Sequence, residues 1–267
     1  MRFPKVKLLV GNERLIARII FNLINFVPLS QYRKFVFGMP YSLARKVKRV
    51  KEFKEVKEEL LNFVRENNDK ISLAQKTKAL QSIWNKLNDQ YFMHLKRVME
   101  INTFKQNLFL GYTTYVVASN YDKKNNRFVV QVLDELKYSI YYIMEEVLHL
   151  VYWDIWDTIF DKKLRKSQNF VKEKNGLSVW KISETIPSYV FNLNIRKSSL
   201  GNYPWLLKAR KILDPIWKER KNFVSFLVEA HKLCGIKPKS SFTLPKTHRC
   251  SEEEFNKFFS FLKKIKK

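Results

Sequence analysis

The chain has 267 residues and carries 51 Lys+Arg against 25 Asp+Glu, a formal charge of +26. Hydrophobic residues at 45% and aromatics at 15% exclude a disordered chain, while only six glycines argue against a phosphate-cradling loop and for long helices. The charge invites a nucleic-acid reading, but the excess is mostly Lys spread along the whole chain, which fits compositional bias better than a dedicated binding face.

Residues 1–51 are the exception, with twelve Lys/Arg and one acid, Glu13, for a net +11. They flank an apolar run, LIARIIFNLINFVPL (15–29). Arg18 interrupts it, no small-residue cleavage site follows, and its length falls short of a bilayer span. Residues 1–50 are therefore expected to form a basic helical extension. It either packs on the rest of the protein or makes a weak polyanion or membrane-surface contact. Residues 51–267 are expected to form a single domain, and nothing indicates recognition of a specific nucleic acid. Cys234 and Cys250 belong to no metal or disulfide pattern, and without a secretion signal they predict reduced thiols in the cytoplasm.

KEFKEVKEELLNFVRE (51–66) predicts a charged helix with Phe53, Val56, Leu60 and Phe63 on one stripe. Ser72 is placed to cap a longer helix running to about residue 101, with Leu80, Ile83, Trp84, Leu87 and Phe92 buried. β-Branched and aromatic residues then dominate 107–119 and 126–132, around the turn-prone NYDKKNN, and predict a β-hairpin. Helical periodicity resumes over 133–160. After a Lys-rich linker, Ser178 is placed to open a helix over 178–193, which Pro187 should kink or restart. GNYP (201–204) is a turn, and C-terminal helices follow over 205–265, with a joint at Pro215 and capping-box spacing at Ser251 and Glu254. The fold class expected is α+β, mostly helical, with a small hairpin or sheet ahead of the helix over 133–160.

That helix carries the chemistry. From Tyr138 to Asp161 there is no Lys or Arg, and five acids stand among residues apolar on several faces: Glu145, Glu146, Asp154, Asp157 and Asp161. Buried carboxylates must be protonated, paired with cations or placed on a metal. In YYIMEEVLHLVY (141–152), Glu145 and His149 are one helical turn apart on one side, with Glu146 rotated by about 100°. Metal-binding helices use such i, i+4 ligands beside a glutamate that polarises water. A further ligand must come from elsewhere, and Glu184 stands alone as an acid in the apolar stretch VWKISETIPSYV.

Here the chain resembles gluzincin-type zinc metallopeptidases, closest to their short, largely uncharacterised microbial members. EEVLHLVYWDIW is similar to their His-Glu-x-x-His helix and WKISETIPSYVFN to their glutamate helix. GNYPWLLKARKILDPIWKERKNFVSFL is similar to their Tyr-Pro turn and following Trp-bearing helix. The resemblance spans roughly residues 107–228 and implies a zincin-like core around a divalent metal, zinc first. It makes His149 and Glu184 ligands, Glu146 the general base, and a peptide or protein the substrate.

The chain departs from the pattern at Glu145, which stands where that family has its first histidine. A Glu/His/Glu set is chemically competent, since carboxylate oxygens bind zinc at about 2.0–2.2 Å. It weakens the metal as a Lewis acid and favours Mn²⁺ or Mg²⁺ relative to a His/His/Glu set, so altered or absent catalysis is expected. Tyr203 is a further candidate, leaning over the site to stabilise an oxyanion, or simply packing on the core. Trp153 and Trp156 are expected in the core or pocket wall, His94 in the core or at its boundary, and His231 and His248 in exposed, Lys-rich surroundings. The alternative function is an inactive relative that binds nucleic acid or acidic membrane through its basic surface.

Overall fold

The computed structural model describes residues 3–166, 170–191 and 204–244. They are mostly helical with a small mixed sheet, an α+β arrangement. They divide into two compact units, one of residues 3–88 with 106–147, the other of residues 89–105 with those from 148 on.

The first unit opens with strand β1 (Lys5–Val10), in which exposed Lys5 and Lys7 alternate with buried Val6 and Leu8. This strand was not anticipated, because its period of two spans only six residues inside a basic segment. Helix α1 (Glu13–Phe26) follows, capped by Asn12, whose side chain accepts from the Arg14 and Leu15 amides. Its apolar stripe of Ile16, Ala17, Ile20 and Ile24 is fully buried. The far end of α1 has no cation of its own. Lys48, from α2 (Tyr41–Arg49), supplies one, its ammonium donating to the Ile24, Asn25 and Val27 carbonyls at 2.8–2.9 Å. A cation there meets both the orphan carbonyls and the negative helix end.

Helix α3 (Lys57–Asn67) starts later than its charge pattern implied, after a 3-10 turn over Phe53–Glu55. Its Leu60, Leu61, Phe63 and Val64 share one core with the buried residues of α1 and α2, so the basic first fifty residues pack here. Helix α4 (Lys70–Val98) is capped by Asp69, which accepts from the Ile71 and Ser72 amides, while the Ser72 hydroxyl meets that of Tyr115. Asp69 wins because its carboxylate accepts more strongly at the positive helix end.

The sheet adds β2 (Leu108–Thr114), β3 (Asn120–Asp122) and β4 (Arg127–Gln131), in the order β1-β2-β4-β3. The two β-rich stretches read from the sequence therefore do not pair directly as one hairpin. β2 runs parallel to both β1 and β4, and only β3 and β4 are antiparallel. The short β3–β4 turn is tied by Asp122, which accepts from the Lys124 amide, Asn125 and Arg127, and it closes with Asn126 at φ +48°. At the outer edge, Gln81 from α4 accepts from the Leu8 amide and donates to the Val6 carbonyl, covering an edge that would otherwise invite pairing. Gly111 faces Leu8 and Phe128 across the sheet, and a Cβ there would lie 2.6 Å from the Phe128 ring and 2.7 Å from Leu8. The first half of α5 (Leu136–Ile159) completes this unit.

The second unit holds the rest of α4 and α5, then α6 (Val179–Val190), α7 (Pro204–Glu219) and α8 (Phe223–Leu233). Ser178 caps α6 as its position implied, accepting from the Lys181 amide. Pro187 and Pro215 lie inside continuous helices and break neither. Burial of nearly all of α6 holds it together across the amide that Pro187 lacks. Trp153 and Trp156 of α5, and Phe160 just beyond its end, pack edge-on or tilted in the core. Cys234 is a half-buried free thiol whose pKa burial pushes up to about 11. The expected helix around Ser251 and Glu254, together with Cys250 and His248, lies outside the described residues. No helix among the described residues is long and apolar enough to cross a membrane.

Candidate metal centre

Helix α5 is mostly buried from Ser139 onward, so the polar groups in its middle stand in a low-dielectric setting. His149 is buried, and burial drives its imidazole pKa down to about 3, leaving the neutral ring that a metal requires. Its Nε2 lies 3.9 Å from Oε2 of Glu184 on α6, both within the second unit. Two ligands of a tetrahedral zinc are roughly 3.3–3.6 Å apart, from bonds of about 2.0–2.2 Å, so a small closure would let both donors serve one ion.

Glu145 lies one helical turn before His149 and is half-buried, with its carboxyl pushed up to about 7 by burial. Glu146 is 6% exposed, a nearly dry carboxylate one residue further along. Of the residues singled out from sequence, the fold brings His149 and Glu184 together. Among the described residues it gathers no group of three or more His, Cys, Asp or Glu side chains able to hold a metal. Tyr203 and the turn before Pro204 lie outside the described residues.

The other acids of the run from Tyr138 to Asp161 have local answers. Asp157 accepts from the Arg165 guanidinium at 2.9 Å, and Asp154 lies 3.8 Å from the Lys105 ammonium. Asp161 accepts from the Lys163 amide at 2.9 Å. Much of the acidic run read from sequence thus serves ion pairs and a turn in the second unit. Arg165 also lies 5.5 Å over the Trp153 ring.

Of the histidines outside the pair, His94 lies in the core, one of the two places expected for it, and His231 departs from expectation. His94 is buried, its Nε2 donating to the Val190 carbonyl at 2.8 Å, and burial lowers its pKa to about 4. His231, expected exposed, is fully buried. It occupies the apolar face of α8 with Phe223, Phe226, Leu227 and Ala230, a helical spacing that its Lys-rich neighbours mask. Its Nδ1 donates to the Leu227 carbonyl, and its Nε2 accepts from the Trp156 indole at 3.1 Å beside the Tyr152 hydroxyl at 3.2 Å. Because indole only donates and carbonyl only accepts, these partners fix the tautomer.

No protein-family model, curated protein or solved structure matches the chain.

Proposed function

We propose that the chain is a divalent-metal-dependent peptidase with an altered ligand set, built on a zincin-like core. The observation that carries this reading is the neutral, buried imidazole of His149 set 3.9 Å from the Glu184 carboxylate, on two largely buried helices. His149 and Glu184 are the ligands, and Glu145 is the third, one turn before His149 on the same side of α5. When bound, a divalent ion supplies Lewis acidity and lowers the pKa of water.

Glu146 is the general base, a carboxylate kept nearly dry next to the ligand face. It takes a proton from the attacking water and returns it to the departing amine nitrogen. The neutral state of His149 keeps its ring nitrogen available as a donor across the physiological pH range. With two carboxylates on the ion, zinc competes less well against Mn²⁺ or Mg²⁺ than it does in a His/His/Glu site.

Metal analysis of protein purified without chelators, followed by peptide hydrolysis with and without restored metal, tests this reading. About one divalent ion per chain is expected, and Glu146→Gln should keep the ion while losing turnover by about 10²–10⁴-fold. Protein that takes up no ion and is indifferent to chelators would sink it.

A further inference from the structure

Helix α6 has twelve residues, nine of them buried, and the three that are not are Trp180, Lys181 and Glu184. Trp180 and Glu184 are i and i+4, so their Cβ atoms are about 5–6 Å apart on one face. The open strip of this helix thus pairs an aromatic ring with the carboxylate assigned above to the metal. Lys181 does not cover it, being held by Glu173 at 2.7 Å and the Gly176 carbonyl.

Trp180 is 36% exposed, an uncommon state for a large apolar ring on an otherwise buried helix. It is positioned rather than loose, because Trp205, in the first turn of α7, packs against it with centroids 5.1 Å apart at 41°. Two indoles held by two helices make a preformed apolar shelf one helical turn from Glu184. Such rings bury large contact area at little entropic cost when a partner side chain covers them.

We infer that Trp180 and Trp205 form the specificity subsite of this centre, taking an apolar, preferentially aromatic, side chain of the residue flanking the scissile bond. The inference rests on the peptidase reading. Covering the shelf would also dry the strip on which Glu184 lies, strengthening its electrostatic interaction with the ion.

The test compares two chelating probes, phenylalanine hydroxamate and alanine hydroxamate, titrated into metal-loaded protein with indole fluorescence and calorimetry as readouts. The phenylalanine probe should bind about tenfold more tightly, a ratio typical of filling an apolar subsite. Trp180→Ala should bring the ratio close to one, and Trp180→Phe should restore most of it. Trp180 is partly exposed, so an unchanged thermal midpoint in Trp180→Ala checks that the fold is intact. Metal-dependent binding of both probes with equal affinity, or a preference that survives Trp180→Ala, overturns the subsite alone. Binding of neither probe in any metal-dependent way overturns the peptidase reading, and the subsite with it.

Discussion

The imidazole of His149 and the carboxylate of Glu184 face each other at 3.9 Å, and burial holds the imidazole neutral. A neutral ring gains little from a carboxylate at that distance, whereas both are donors that a divalent ion placed between them could use. Removing either donor should therefore weaken divalent-ion binding by about 100-fold or more, above the loss typical of changes to residues that merely support ligands. His149→Ala and Glu184→Gln, titrated calorimetrically with Zn²⁺ and Mn²⁺, check this. Glu145→His should move the other way, tightening zinc while weakening Mn²⁺, because imidazole is the softer donor. Unchanged affinity in Glu145→His would mean that this side chain is no ligand.

His231 links α5 to α8 through one ring, and acid should loosen that link. Burial lowers both His94 and His231 from 6.5 to about 4 in the folded chain. Below pH 6.5 the unfolded chain binds protons that the folded chain refuses, so stability falls as pH drops and levels off near 4. Each histidine contributes a loss of roughly 3 kcal/mol across that window. His231→Phe should cost about 1–3 kcal/mol at pH 7, from the orphaned Trp156 indole and Leu227 carbonyl. Its deficit relative to the parent should shrink toward pH 4, read from urea titrations at several pH values. A parallel pH profile in both proteins would refute the assignment.

How much was legible in the sequence depended on whether the signal was local. α5 and α6 were legible because their periodicity, Ser178 and the isolated Glu184 all lie within single elements. The pairing of β2 was not, since its parallel partner β1 lies about a hundred residues earlier and carries no turn signal. His231 was misjudged because the charge of its neighbours outweighed the spacing of Phe223, Phe226, Leu227 and Ala230. Whether the acidic residues were protonated, paired or on a metal could not be read from sequence, because Arg165 and Lys105 could not be placed beside Asp157 and Asp154.

Lys48 shows that some of the basic charge in the first fifty residues is structural. Its ammonium gathers three carbonyls at the end of α1, which has no basic residue in its own last turn. Lys48→Met keeps the aliphatic stem and removes the donor. It should cost about 1–2 kcal/mol, the sum expected of a charged hydrogen-bond donor and a helix-end cation in a partly exposed site. Chemical denaturation checks the loss, and amide exchange at residues 23–27 should quicken selectively.

Gly111 sits where the side chains of two neighbouring strands have already taken the space. An added methyl at this position would meet the Phe128 ring at 2.6 Å and Leu8 at 2.7 Å, both far inside contact distance. Its neighbours across the sheet are those same residues, so neither can yield without disturbing strand register. Phe128 is 1% exposed and Leu8 6%, which leaves no solvent-side rotamer to escape into. Gly111→Ala should therefore destabilise the chain by about 1–3 kcal/mol, the usual cost of overpacking. Phe128→Leu alone should also destabilise, by leaving a void. Combined, the two should cost less than their sum, because the shortened side chain makes room for the methyl. Strict additivity in a denaturation double-mutant cycle would show that Gly111 is required for backbone reasons instead.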